Sequence, residues 1–186
     1  MDHRRDTLTP LFATFSTNLA AAGGIAHHAQ STTEAVETIA GLPGDLHPKV
    51  IWVSSRVQEC QPEIIAGLQA AGYELAVPDR PATVRDEPVG LTVARVGIAE
   101  TGSVLLDEPE IADRSVSLMT NLLIVVCPVD RLVPSLDDAA GVLREISHSG
   151  SSYATFVTGP SRTADIERQL TIGVQGPAVM HVVFVP

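Results

Sequence analysis

The sequence predicts an α/β protein built in three layers, a mostly parallel sheet with helices on both faces. Three observations predict it. A short run rich in β-branched residues at 49–53 and a wholly apolar one at 122–127 have the composition of strands buried on both faces. Amphipathic stretches at helical spacing separate such runs, and the changes of period are punctuated by Gly or Pro. At 186 residues, 45% of them hydrophobic, the chain is long enough to bury a full core, and a single domain over residues 1–186 is expected.

The first helix is expected to start at Thr9, with Pro10 in the first helical position, where a missing N–H is no loss. Leu11, Phe12, Phe15 and Leu19 form its apolar stripe, and Gly23 stops it. Ser31 and Glu34 make a capping box for a second helix that ends at Gly41. Residues 49–53 then read as strand. Pro62 opens a helix carrying Ile64, Ile65 and Leu68 and closed by Gly72, and residues 73–77 return to strand. This strand–helix–strand unit implies a parallel pair with a crossover.

The Pro- and charge-rich residues 78–88 read as a surface loop. Residues 91–98 and 103–107 flank Ala99-Glu-Thr-Gly102, a hairpin in which Gly102 supplies an unusual backbone angle. Another apolar strand at 122–127 is followed by Ser135 and Asp138, which cap a helix bearing Leu136, Ala139, Leu143 and Ile146. A polar turn at 148–152 leads to a strand at 153–158, a loop at 159–163 and a short helix at 164–170. Residues 179–185 form the final strand, and no internal repeat or heptad interrupts the pattern.

Composition excludes some functions. With 22 acidic and 12 basic residues the formal charge is −10, which disfavours nucleic acid and anionic membrane surfaces as partners. Cys60 and Cys127 are far apart and have no CxxC companion, which excludes a disulfide framework and a self-contained iron–sulfur or Cys-rich zinc site. Cys127 ends an apolar run and is expected to be a buried, inert thiol. Arg4 and Arg5 before Ala20, Ala21 and Ala22 imitate a leader, but Pro10, Thr14, Ser16, Thr17 and Asn18 interrupt the stretch. No run approaches the ~18 apolar residues of a membrane span, and a cytoplasmic location is expected.

Open parallel sheets bind ligands beyond the carboxyl ends of their strands. The loop Gly159-Pro-Ser-Arg-Thr163, with Asp165 and Glu167 beyond it, has that setting. Ser161 and Thr163 offer hydroxyls, Arg162 a planar cationic fork, and a helix start offers free N–H groups to an anion. The plainer use is that Ser161 or Thr163 caps the helix and Asp165 improves its first turn. Glu100, with Thr101 and Gly102 in the hairpin turn, can be a nucleophile, a base or an anchor for backbone N–H groups; turn carboxylates mostly do the last. Residues 173–177 carry Gln175 and Gly176 in a loop of demanding geometry. His27, His28 and His181 make no metal-ligand pattern, and neither a phosphate-binding loop nor GxGxxG is present, so no metal and no cofactor is expected.

Three segments together resemble the lactate-utilisation (LUD-domain, LutC-like) family: Val96-Gly-Ile-Ala-Glu-Thr-Gly-Ser-Val-Leu-Leu-Asp107, Gly159-Pro-Ser-Arg-Thr-Ala-Asp-Ile-Glu167, and Gly173-Val-Gln-Gly-Pro177. Asp130-Arg-Leu-Val-Pro134 adds a fourth. The resemblance covers residues 90 to 186 well and the rest in layout only. It implies a fold like that of the NagB/RpiA/CoA-transferase group and a place in oxidising L-lactate to pyruvate beside iron–sulfur partner proteins. It implies a non-redox component that binds a small carboxylate or those partners. Gln175 departs from the family's usual His, Ser103 from its usual Thr, and the chain is shorter than typical relatives. An acyl- or CoA-transferase-like enzyme using Glu100 and a purely regulatory or scaffolding subunit are the alternatives.

Overall fold

Strands covered on both faces must be close to continuously apolar, and residues 122–128 meet that demand fully, residues 179–185 at all but His181. In the computed structural model, which describes residues 3–85, 87–150, 153–163, 171–173 and 176–186, the elements are α1 (His3–Ala21), β1 (Ile25–His28), α2 (Thr32–Gly41), β2 (Val50–Val53), α3 (Ser55–Cys60), α4 (Pro62–Ala70), β3 (Glu74–Ala76), β4 (Val89–Ile98), β5 (Ser103–Asp107), α5 (Ile111–Met119), β6 (Leu122–Pro128), β7 (Leu132–Val133), α6 (Leu136–His148), β8 (Ala154–Val157), β9 (Arg162–Thr163), β10 (Thr171–Ile172) and β11 (Val179–Val185).

The main sheet runs β1-β11-β6-β4-β2-β3, every neighbouring pair parallel. Alternate residues divide its two faces. Leu91, Ile124 and Val183 pack under Ile39 of α2, Val57 of α3, and Ile64 and Leu68 of α4. Leu123, Val125, Val182 and Phe184 pack on the other face under Phe15 and Leu19 of α1. Phe15 meets Phe184 edge to face at 4.9 Å, and Phe12 does so at 5.8 Å. This is the three-layer α/β architecture expected, with Cys127 fully buried.

β4 outgrows this sheet. Its first half pairs with β6 and β2, and its second half pairs antiparallel with β5 and parallel with β7. β8 adds to β5, and Ala139 and Ile146 of α6 pack on Val96, Ile98 and Leu105 of this second sheet. The transition is a β-bulge: Ala94 opposes Leu106, Val96 opposes Leu105, and Arg95 is the extra residue. A bulge bends its strand and raises the local twist, which lets one strand serve two sheets.

Local chemistry at the helix starts follows the sequence. Ser31 Oγ accepts the Glu34 N–H at 3.2 Å, while the Glu34 carboxylate reaches back to the Gln30 N–H at 2.7 Å. Ser135 and Asp138 form a complete capping box. Elsewhere the structure differs. Helix α1 begins at His3 rather than at Thr9 and runs through Pro10, whose carbonyl accepts the Thr14 hydroxyl at 3.0 Å. The polar residues ahead of Thr9 give no periodic signal of a helix. Strand β1 was not expected because two histidines break its apolar pattern, and α3 and α5 were not expected either. The helix expected at 164–170 lies outside the described residues.

Gly102 shows how tightly these layers meet. Its φ is +65°, and a Cβ there would lie 2.2 Å from the Leu19 backbone nitrogen in α1. Backbone cannot retreat as a flexible side chain can. Gly102→Ala should therefore cost roughly 3 kcal/mol or more from the left-handed conformation and the clash together, read as a lowered urea midpoint; an unchanged midpoint would show that α1 shifts freely.

Candidate functional site

The segments singled out in the sequence meet at the carboxyl end of α1. Asn18 Nδ2 donates to the carbonyls of Ala99 and Glu100, both at 2.9 Å, and so holds the hairpin turn against the helix. Gly102 lies against Leu19. One turn further on, Gly159 adopts φ +71°, and a Cβ there would lie 2.5 Å from the Ala22 carbonyl oxygen. The Arg162 guanidinium stands beside Gly23, at the negative end of the helix dipole, where a cation is favoured. Ser103 and Thr158 hydroxyls join the first two segments at 2.6 Å. Ser161 N–H donates to the Pro177 carbonyl at 2.8 Å, and Gly173 N–H donates to the Ser161 carbonyl at 3.0 Å, which ties in the third.

Each candidate residue has a definite place in this arrangement or none. Glu100 is exposed, and its carboxylate accepts the Leu136 N–H at 3.1 Å in the first turn of α6. It also receives the helix dipole there. Its own N–H donates to the Pro134 carbonyl, so the turn is sewn to the 130–134 segment. Thr101 and Arg162 are exposed, Thr163 and Ser161 are half-buried, and Gly176 faces Ser161. Asp165, Glu167 and Gln175 lie outside the described residues.

A second group of polar residues was missed by sequence reasoning. It lies where β2 and β4 are neighbours yet the chain leaves them on opposite faces, through α3 and α4 from β2 and through α5 on the way to β6. Such a switch point opens a crevice at the carboxyl ends of the strands. On one side of it a cavity of about 330 Å³ is lined by Arg56, Arg95, Arg131 and Asp107, with Val93 and Pro128 among its apolar walls. Asp107 is fully buried, is ion-paired to Arg56, and has Arg95 Nη1 at 3.5 Å. One signal in the sequence was available: Arg95 is the lone charge in a strand whose other residues, Thr92 apart, are apolar.

On the other side is a buried hydroxyl–carboxylate network. Thr92 donates to Glu108 Oε1 at 2.8 Å and Ser117 to Oε2 at 2.6 Å, with Ser54 beside Thr92 at 3.1 Å. Asp113 of α5 accepts both the N–H and the hydroxyl of Ser55. Burial pushes the Glu108 carboxyl up to about 7; the two hydroxyls and Arg114 oppose this, and Asp113 adds to it. At the sheet edge, His27 Nε2 and His181 Nδ1 are 2.8 Å apart in stacked rings. Burial lowers both, and the neighbouring His27 helps bring His181 to about 4. Among the described residues no three His, Cys, Asp or Glu side chains stand close enough to share a metal ion.

Parallel sheet, switch-point crevice and a hairpin locked to the first helix define an α/β protein with its polar groups gathered at strand ends. The LUD domain model matches residues 12–185, and the chain belongs to that family. Lactate utilization protein C of Bacillus velezensis (strain DSM 23117 / BGSC 10A6 / LMG 26770 / FZB42) is 38% identical over 92 residues, which is 48% of this chain and 38% of that protein. The protein of the same name from Oceanobacillus iheyensis (strain DSM 14371 / CIP 107618 / JCM 11309 / KCTC 3954 / HTE831) is 39% identical over 92 residues, 40% of its length. The matched stretch thus spans well under half of these relatives. A crystal structure of a DUF162 family protein from Deinococcus radiodurans shares the fold, with a TM-score of 0.73 and 20% identity over 96% of this chain and 98% of that one.

Glu108 gives the site a pH signature. Between its ordinary value of 4.5 and about 7 the folded chain holds a proton that the unfolded chain has released. Folding stability from this group is therefore fully present below 4.5 and is lost as pH rises through about 7. The loss should reach roughly 3 kcal/mol. Urea unfolding of the wild type and Glu108→Gln across that range should show the wild type losing this much relative to the variant. Parallel curves would mean the carboxyl titrates normally. The two histidines contribute the opposite slope and cancel in the comparison.

Proposed function

We propose that this chain is a non-redox component of a lactate-utilisation system, taking part in the oxidation of L-lactate to pyruvate beside iron–sulfur partner proteins. The observation that carries the reading is the convergence of two family segments on the last turns of α1, with the third bonded to Ser161 of the second, and with Glu100, Thr101 and Arg162 exposed around it. The names of the relatives support the metabolic setting. Cys60 and Cys127, one exposed and one buried, make no cluster ligand set, and this is consistent with electron transfer by partners.

Within that role, the loop at 159–163 holds a small carboxylate or a partner's acidic group, with Arg162 as the cation and Ser161 and Thr163 as hydroxyl donors. Asp165, Glu167, Gln175 and Gly176 belong to the same proposed site. Glu100 serves as an anchor: its carboxylate is engaged by the start of α6, which makes it a poor nucleophile and disfavours a transferase.

Anaerobic affinity purification of the tagged chain from its own host grown on lactate tests the role. Iron–sulfur proteins should co-elute, and the eluate should oxidise lactate while the isolated chain is colourless and does not. Recovery of the chain alone, or lactate oxidation by the isolated chain, would remove the proposal. If lactate or pyruvate is the carboxylate, ~100-fold excess over its dissociation constant should stabilise the chain by about 2.7 kcal/mol, and Arg162→Ala should abolish that melting shift.

A further inference from the structure

We propose that the crevice at the β6-β4-β2 strand ends is a second anion site, distinct from the Arg162 loop, built to take a small dianion such as a short dicarboxylate or a phosphate-bearing acid.

The strand ends themselves supply the argument. Three adjacent parallel strands each deliver one arginine to the same cavity: Arg56 from the first turn after β2, Arg95 from within β4, and Arg131 from the turn after β6. Arg95 is there because it is the bulged residue, passed over between the Ala94–Leu106 and Val96–Leu105 pairs with β5. Bulges re-aim side chains in this way beside functional sites. Without the bulge the strand's alternation would be unbroken at this position.

Charge then selects the ligand. Within the cavity three guanidiniums face one carboxylate, Asp107, which is buried beneath them and binds Arg56 closely and Arg95 more loosely. Exposed Glu145 touches Arg95 only at the rim, at 3.8 Å. Arg131 makes no side-chain hydrogen bond or ion pair with any described residue. The lining therefore carries an excess of two positive charges on a chain whose net charge is −10. Converging cations repel, and partial burial deepens the penalty. A dianion relieves it.

Geometry selects the rest. Asp107 tethers Arg56 and Arg95 in the cavity lining, and a guanidinium has five N–H donors in a planar fork that matches a further carboxylate or a phosphate. The apolar wall of Val93, Ala94 and Pro128 suits a short carbon chain between two charged ends. A volume of about 330 Å³ stands near the lower limit of ligand pockets, roughly 300 Å³, so the ligand is small.

Calorimetric titration of the purified chain with succinate, with inorganic phosphate and with acetate, at matched ionic strength, tests this. At least one dianion should bind saturably and at least about tenfold more tightly than acetate; whichever binds names the head group. Arg131→Ala, and independently Arg95→Gln, should weaken that binding by about tenfold or more, the loss expected of one charge-assisted contact. Arg162→Ala should leave it unchanged, which separates this site from the lactate reading. Because Arg131 makes no side-chain hydrogen bond or ion pair with any described residue, its removal should leave the unliganded melting temperature equal or higher. Absence of saturable dianion binding, equal binding of acetate, wild-type affinity in Arg131→Ala, or loss of binding in Arg162→Ala would each overturn the proposal.

Discussion

Most of this structure hangs on the strand β4, which must be covered along ten residues while serving two sheets. Its first half lies between β6 and β2 at the centre of the parallel sheet, and its second half carries the hairpin with β5. A regular strand of this length would keep one pleat and one twist. The bulge at Arg95 breaks both, and the second sheet departs from there. Nine of the ten residues are buried, and Arg95 is the exception. The irregularity that solves the packing problem is thus also what brings a cation to the end of the sheet.

The same logic continues at the far end of β5. Asp107 and Glu108 are consecutive, and alternation sends their carboxylates to opposite sides of the chain. Asp107 meets Arg56 and Arg95; Glu108 meets Thr92 and Ser117. Both are almost wholly buried, which an unpartnered carboxylate would not tolerate. Cations compensate the first. Hydroxyls bond the second, and burial, which outweighs them and Arg114, raises its proton affinity instead. One dipeptide therefore couples a charged crevice on one side to a proton-holding network beneath α5 on the other.

How much of this was legible depended on the kind of constraint. The apolar runs of β6 and β11 and the capping residues Ser31 and Ser135 were readable because burial and capping act on local composition. Helix α5 was not, because the residues it buries include Asp113, Ser115 and Ser117. These are inside because they bond to Ser55, to a helix carbonyl and to Glu108. Hydrophobic periodicity has no means of seeing a helix held by hydrogen bonds to distant residues. Helix α3 was missed for a related reason: Ser54 and Ser55 look like a loop until their partners Thr92 and Asp113 are known. The Arg56–Arg95–Arg131 grouping needed strand order, which no local pattern contains.

The segments that make the family recognisable are dominated by glycines, and the structure gives them a steric reason. Gly102 and Gly159 adopt positive φ and admit the backbone of Leu19 and Ala22 so closely that no side chain fits. Such positions accept one residue type, so they stay visible in a sequence. A charged crevice is constrained differently. A guanidinium can reach the same cavity from several backbone positions, and a neighbouring Lys or Arg can replace its charge without disturbing the fold. The glycines of those segments therefore report where two backbones touch, around α1. The crevice lies on the other side of β4: Asp107 and Arg131 fall within two of the recognisable segments, whereas Arg56, outside all of them, and Arg95, just ahead of the first, are brought to it by strand order and the bulge.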